Sequence, residues 1–343
     1  MTKVAVALSG GIDSAVVAAL LLEQGYEVLG ITGKMTCSED SETVIFNAKK
    51  VADKLGVKHY VCDVSKKFHD KVIKYFENSY QKGETPNPCV MCNKYIKWGD
   101  LFDFAINELG VDYIATGHYA KIKRDGDIFK LYPACDELKD QLYFLCTLSQ
   151  EHLSKTLFPL SDYKKSEVKM FAEKYDLPPK SAKESQDICF IKPPLTTKKY
   201  LNNVFSMQKG SFVEKATGKV LGSHDGYWQY TVGQRKGIGI AAPYPLYVLE
   251  ICADTNTVYV GSKDELAIKS LNLGNVAWAY SLEATTFEAL VKIRYNMKPV
   301  RANITVSENV KIEFLESVSA LAPGQACVIY DKNDGHLLGA GFI

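Results

Sequence analysis

The sequence has no apolar run of the roughly 18 to 20 residues needed to cross a bilayer. Residues 1–20 do not read as a basic, serine-rich amphipathic leader. The expectation is therefore a soluble, cytoplasmic protein without membrane partners. An excess of one charge is also lacking: 41 Lys+Arg stand against 40 Asp+Glu, a formal charge of +1. No global basic field advertises nucleic acid, and any such contact must use local patches. The nine cysteines are odd in number and irregularly spaced, which excludes a disulfide framework and points to a reducing compartment. No second C-x-x-C and no paired histidines accompany the one C-x-x-C, so a zinc site lacks its partners. Internal repeats and low-complexity segments are missing too.

What is present is enough length, 343 residues, for two or three domains with ample buried core. Residues 1–200 alternate short apolar runs with helix-period segments, the pattern of an α/β domain with a parallel sheet and helices on both faces. "KVAVAL" (3–8), "EVLGIT" (27–32), "HYVCDV" (59–64) and "DYIAT" (112–116) read as its strands. Val44, Ala48, Val51, Ala52 and Leu55 share one helix face, and Phe68, Val72, Ile73, Phe76 and Tyr80 share another. Residues 163–182 predict a further helix, with Val168, Phe171, Ala172 and Tyr175 on one side and a double proline as its stop. From about residue 201 the pattern becomes short alternating runs between Gly, Asn and Asp turns, which predicts antiparallel hairpins, the last turning at 333–335. This tail divides into a small mainly β domain over 201–265 and a barrel-like β domain over 266–343.

The turn after the first strand is Ser9-Gly10-Gly11-Ile12-Asp13-Ser14, leading directly into a long apolar helix. Strand, glycine turn and helix aim free backbone N–H groups at an anion, and a phosphate is the natural occupant. The turn is neither G-x-x-x-x-G-K-[ST] nor G-x-G-x-x-G. Ser9 and Ser14 can donate hydroxyls, and Asp13 can hold Mg²⁺ bound to the phosphates. An ordinary turn capped by Asp13 or Ser14 is the plainer alternative.

Three cysteines stand apart from the rest. Cys89-x-x-Cys92 follows Pro86-Asn87-Pro88, a stiff extended platform, and Cys189 precedes an apolar triplet in a polar stretch. Cys37, Cys62, Cys135, Cys146, Cys252 and Cys327 lie in or beside apolar pattern and read as packing residues. A thiol at a helix start ionises more readily, which gives Cys92 a route to the thiolate. The trio suits either an iron–sulfur cluster with one open iron position or redox sulfur transfer through a persulfide and a resolving thiol.

Ser9 to Ser14 resembles the loop of the PP-loop ATP pyrophosphatases, which implies an adenine-nucleotide α-hydrolase-like fold and ATP cleavage between the α and β phosphates. "TPNPCVMCNKYIKW", "ATGHY", "KDQLYFL", "ESQDICFI", "TVGQRKGIGI", "RYN" and "PGQ" follow in the order and at roughly the spacings of the bacterial tRNA-specific 2-thiouridylase family. That resemblance spans nearly the whole chain. It implies ATP-dependent 2-thiolation of the wobble uridine of tRNAs for Lys, Glu and Gln, with a cysteine desulfurase or sulfur-relay protein as donor. The β domains are then expected to grip the anticodon arm.

Carried across residue by residue, Cys92 matches the catalytic nucleophile and Cys189 the persulfide carrier. Ala7, Leu8, Ser9, Gly10, Gly11, Ile12, Asp13 and Ser14 match the ATP loop, with Gly33 and Gly117 as further nucleotide contacts. Asn87, Pro88 and Cys89 match the segment at the target base. His118, Lys139, Asp140, Gln141, Arg294, Tyr295 and Gln325 match positions that touch tRNA. On its own, His118 reads as a satisfied histidine at a strand end. Some members carry an aspartate where this chain has Cys89, which leaves the proton carrier open. A small-molecule ligase of the same superfamily would need neither paired thiols nor a β tail, and a non-catalytic RNA-binding protein would need no intact loop.

Overall fold

The computed structural model describes residues 1–178 and 188–343. Residues 179–187, which carry the second proline of the expected helix stop and the "ESQD" leading to Cys189, lie outside the described residues. Strand β1 (Lys3–Ala7) is the centre of a five-stranded, all-parallel sheet of order β3-β2-β1-β4-β7. Its neighbours are β2 (Glu27–Lys34) and β4 (Tyr113–Ala115), with β3 (Lys58–Asp63) and β7 (Thr156–Leu157) outside them. Val4, Ala5 and Val6 are all fully buried, because a parallel strand covered on both faces has no solvent side.

Val4 and Val6 face helix α1 (Ile12–Glu23), helix α2 (Glu39–Leu55) and the helix Lys165–Lys174. Ala5 and Ile31 face the helical residues 88–108 on the other side. The expected faces are seen: Ala48, Val51 and Ala52 are buried in α2, and Phe68, Val72, Phe76 and Tyr80 are buried along the helical run 65–81. The helix read over 163–182 starts at Lys165 and ends at Lys174, with Val168 and Ala172 inward. Helical residues 88–108 kink at Trp98 and Gly99, whose backbone leaves the helical region. There the Trp98 indole N–H reaches across to Thr156 Oγ1 at 2.9 Å, fixing the bend against β7.

Chain order reverses between β1 and β4, so the loops leaving their C-terminal ends part and open a crevice. Beyond the hairpin β5–β6 (Ala120–Asp125 and Ile128–Pro133) come two further sheets. The first has order β10-β11-β8-β9, from β8 (Gly210–Glu214), β9 (Val220–His224), β10 (Tyr247–Cys252) and β11 (Thr257–Gly261). Its two hairpins are antiparallel as expected, but they join through a parallel β8–β11 pair, which purely antiparallel strands would not give. The second is a curled antiparallel half-barrel of seven strands between residues 267 and 342, closing on the hairpin formed by Ala326–Asp331 and Leu337–Phe342.

This last sheet is built onto the first domain. Val328, Tyr330, Leu337 and Ala340 share one apolar cluster with Ala5, Ile31, Trp98 and Phe102. Tyr143 donates to Ala326 O at 2.8 Å across the same face. Among the described residues no helix is long and apolar enough to cross a membrane.

Candidate active site

The crevice at the end of β1 is lined by the glycine turn. Gly10 adopts φ +72, and a Cβ there would sit 2.9 Å from Asn47 Cβ, so both backbone and space demand glycine. Ser14 Oγ accepts from Ser9 N at 3.1 Å and donates to Gly11 O at 3.1 Å, bracing the loop from inside. No side chain caps the N-terminus of α1, which leaves its first backbone N–H groups for an anion. Ala7 and Leu8 lead into the turn. Leu8 spends its own N–H on Ile31 O at 2.8 Å, and its carbonyl accepts from the Thr32 hydroxyl at 2.8 Å. These donors and the shaped turn fit the phosphates of ATP.

Asp13, the expected Mg²⁺ ligand, is placed otherwise. Lys165 Nζ lies 2.7 Å from both carboxylate oxygens, and the Tyr119 hydroxyl donates to Oδ1 at 3.1 Å. The Lys165 side chain is 12% exposed and that of Asp13 31%, so the pair is partly screened from water. A carboxylate already neutralised by an ammonium does not fit a hard divalent cation. Gly117, after β4, packs onto this same loop, where a Cβ would lie 2.9 Å from Asp13 Cβ and 3.0 Å from Ser14 N. Gly33 sits near the end of β2, and its open side faces Met35, Leu101 and Val64.

Two of the thiols are carried by the helix on the sheet face opposite α1. Asn87 caps the helix that begins at Pro88, accepting from Cys89 N at 3.2 Å, and the stiff proline platform is as the sequence implies. Cys89 lies in the first turn and Cys92 one turn deeper, half-buried. Cys189 is carried on a turn anchored by Phe190, which packs edge-on against Phe76 at 5.3 Å, and by buried Ile191. Cys89 and Cys189 keep a solvent-facing side and all three thiols are free.

The helix start does not deliver a thiolate in the free protein. Burial pushes the Cys92 thiol up to about 12, and it raises Cys89 and Cys189 as well. The Lys97 ammonium pulls all three the other way without overcoming the lost hydration. Among the described residues, only Asp331, Asp334 and His336 bring three potential ligand atoms within 4.8 Å of one another. The cysteine trio is therefore not drawn in around a single metal ion.

Lys97 also links the thiol-bearing helical run to the residues that follow β4. Its Nζ lies 3.1 Å from His118 Nε2, and His118 Nδ1 lies 2.8 Å from Thr116 Oγ1. With an ammonium donating to Nε2, the imidazole proton belongs on Nδ1 and points at Thr116. Burial first, and the Lys97 charge second, hold His118 neutral, well below its usual value. His118 is thus the satisfied strand-end histidine, and a contact with tRNA requires Lys97 to give way. Lys97, Thr116, Tyr119 and Lys165 were not singled out from the sequence. Lys97, five residues after Cys92 in "CNKYIK", and Thr116 and Tyr119, which flank Gly117 and His118 in "ATGHY", sit beside residues that were singled out, whereas Lys165 has no local signal.

The remaining predicted residues fall in two places. Gln141 exchanges hydrogen bonds with Tyr119, its N–H donating to Tyr119 O at 2.9 Å and its Oε1 accepting from Tyr119 N at 3.0 Å. Asp140, whose carboxyl burial pushes up to about 6, accepts from Ala134 N at 3.1 Å, and its carbonyl accepts from the Tyr295 hydroxyl at 3.2 Å. Half-buried Lys139 and exposed Arg294 flank this contact. The Tyr295 ring packs at a tilt against Phe144, centroids 4.4 Å apart, and Phe144 O accepts from Asn93, the residue after Cys92, at 2.8 Å. This group therefore abuts the thiol helix. Gln325 lies elsewhere, with its amide on Thr85 O.

Comparison with known proteins agrees along the whole chain. Family profiles described as "tRNA methyl transferase HUP domain", "tRNA methyl transferase PRC-barrel domain" and "Aminomethyltransferase beta-barrel domain" match residues 2–193, 198–262 and 268–343. The tRNA-specific 2-thiouridylase MnmA of Carboxydothermus hydrogenoformans is 42% identical, covering 99% of this chain and 97% of that protein. Its namesake from Rickettsia typhi is 41% identical, over 100% and 99%. The solved U34-tRNA thiolase NcsA from Methanococcus maripaludis, with its [4Fe-4S] cluster, is 23% identical over 55% of this chain and 61% of that one, at a TM-score of 0.37. That likeness is too slight to bear on whether the thiols here hold a cluster. The full-length relatives decide the matter: the chain belongs to the bacterial tRNA-specific 2-thiouridylase family.

Proposed function

We infer that the chain catalyses ATP-dependent 2-thiolation of the wobble uridine 34 of tRNAs for Lys, Glu and Gln, in the cytoplasm. The observation that carries this reading is the chain of contacts from the glycine turn through Gly117 and His118 to Lys97, whose charge acts on all three thiols. The uridine O2 is a poor leaving group. Its attack on the α phosphate of ATP, with pyrophosphate departing, turns it into the oxygen of AMP. The free N–H groups at the start of α1 are assigned to the charge that develops on the departing pyrophosphate.

Sulfur arrives as a persulfide on Cys189, loaded by a cysteine desulfurase or a relay protein. Cys92, once deprotonated, attacks the inner sulfur of that persulfide. A Cys92–Cys189 disulfide forms, hydrosulfide is released to attack uridine C2, and AMP leaves. The disulfide is then reduced by an external thiol before the next turnover. Burial raises the Cys92 thiol in the free protein, so its deprotonation is assigned to the substrate-bound state. The base must leave the anticodon stack to reach the crevice. The surface of Lys139, Asp140, Gln141, Arg294 and Tyr295, which abuts the thiol helix, is assigned to the anticodon arm. Residues 1–200, 201–265 and 266–343 remain the proposed division of labour between catalysis and grip.

The test is formation of 2-thiouridine in a tRNA transcript supplied with ATP, cysteine, a desulfurase and a thiol reductant, read by nucleoside mass spectrometry. Cys92→Ser and Cys189→Ser are expected to abolish product while tRNA binding stays intact. Product formed at the normal rate by either variant removes its assigned role. A stoichiometric iron content in anaerobically purified protein, lost with any of Cys89, Cys92 or Cys189, would replace the persulfide route with the cluster route.

A further inference from the structure

Residues 81–87, the approach to the proline platform, are held from two sides by the β domains. From the central domain, the Tyr227 hydroxyl donates to Gln81 O and the Thr85 hydroxyl meets that of Thr231 at 3.4 Å. From the half-barrel, the turn 323–325 closes on Thr85. Thr85 N donates to Pro323 O at 2.7 Å, and Gln325 Nε2 donates to Thr85 O at 2.5 Å. Both backbone polar groups of Thr85 are thus satisfied by this one turn. Gly324, at φ +87, lets the turn approach so closely that a Cβ there would lie 3.1 Å from Glu84 Cβ and 3.3 Å from Pro86 N. The turn itself is fixed from behind, since Gly324 N donates to Ile343 O at 2.9 Å and Ile343 N to Gln325 O at 3.0 Å.

The chain immediately after Thr85 is rigid. Pro86 and Pro88 are buried and confine the backbone, and Asn87 between them caps the helix bearing Cys89 and Cys92. Three residues of extended chain reach about 10 Å. A displacement at Thr85 therefore passes to the helix start with little slack to absorb it.

We propose that Gln325 and its turn are a positioning element of the reaction centre: the half-barrel reaches into the first domain and sets the angle at which the Asn87–Cys92 platform presents its thiols. The assignment of turnover to this platform rests on the thiolation reading above. It differs from a contact with tRNA in what it predicts, because a positioning residue acts on kcat and a nucleic-acid contact acts on binding.

Gln325→Leu removes the donor to Thr85 O at similar size. Thiolation kcat is expected to fall about ten- to hundredfold, the usual cost of a small misplacement of reacting groups. The KM for tRNA and its Kd should stay within threefold. Alkylation of Cys89 and Cys92 by iodoacetamide, followed peptide by peptide without ATP or tRNA, is expected to change at least threefold in rate, with Cys37 as an unaffected internal reference. A Kd raised beyond threefold, an unchanged kcat or an unchanged alkylation rate each overturns the proposal. If the melting temperature shows that Gln325→Leu fails to fold, Gln325→Asn, an amide one methylene too short, carries the same comparison. A wild-type chain that makes no 2-thiouridine defeats the functional reading alone, since the alkylation arm still reports on the strut.

Discussion

Gly117→Ala adds one methyl group, and the structure says where it must go. The new Cβ would stand 2.9 Å from Asp13 Cβ, 3.0 Å from Ser14 N and 3.1 Å from Asp13 C, where ordinary contact begins at 3.4 Å. None of these is the far end of a flexible side chain, so the phosphate loop itself must retreat by about half an ångström. Gly117 does not need a left-handed backbone, so the effect is steric alone. Overpacking of this kind costs about 1 to 3 kcal/mol. If the displaced loop no longer matches the phosphates, that cost emerges as weaker ATP binding by about five- to 150-fold. Titration calorimetry with ATP measures the affinity, and thermal denaturation without nucleotide separates loop displacement from general unfolding. Gly274→Ala is the control, because its nearest neighbour beyond the adjacent chain is 3.9 Å away. Wild-type ATP affinity in Gly117→Ala, at unchanged thermal stability, would refute the placement of the nucleotide against this loop.

Lys97→Met removes the cation that opposes burial at Cys89, Cys92 and Cys189, so their pKa values rise further and iodoacetamide labelling at pH 8.5 should slow severalfold, with Lys97→Arg restoring most of the rate. An unchanged labelling profile would mean that the ammonium serves His118 only. Asp13→Asn strands the Lys165 ammonium without its carboxylate, and urea denaturation should show a loss of about 2 to 4 kcal/mol, somewhat below the cost for a fully buried pair. The double variant Asp13→Asn/Lys165→Met should recover part of that loss. Cys146 and Cys327 are buried thiols held above the ordinary value of 9.0 by burial, so the folded state keeps protons that the unfolded state releases. Their stabilising contribution is complete below pH 9 and fades above it, by about 1.4 kcal/mol per pH unit for each. Denaturation midpoints at pH 8 and pH 10 should show a steeper alkaline loss in the wild type than in Cys327→Ala.

The parts of the fold legible in the sequence were those with local periodicity. Val4 to Val6, Val28 to Ile31 and the turn Ser9 to Ser14 announce themselves within a few residues, because a buried parallel strand followed by a glycine turn is a local pattern. Strand β7 is two residues, Thr156 and Leu157, and no period can be read from two. The parallel pairing of β8 with β11 was hidden because hairpin signals specify only adjacent strands. In the site, the loop and the three thiols could be picked out by residue type, but the chemistry between them could not. Asp13 meets a lysine 152 positions away, and Thr85 a glutamine 240 positions away. The same distance explains the thiolate that the helix start promised: local sequence places Cys89 and Cys92 on a helix, while the desolvation that raises them comes from elements packed over it from elsewhere in the chain.

The apolar wall shared by Val328, Tyr330, Leu337 and Ala340 with the first domain bears on how such proteins can evolve. A barrel joined by a linker can be exchanged between genes as a cassette. Here the barrel face and the sheet's helical cover are two sides of one mould, and a substitute would have to reproduce both that face and the turn that closes on Thr85. Recombination at the domain boundary would leave the hybrid with a mismatched seam along that face, so a foreign third domain would have to be refitted to the first.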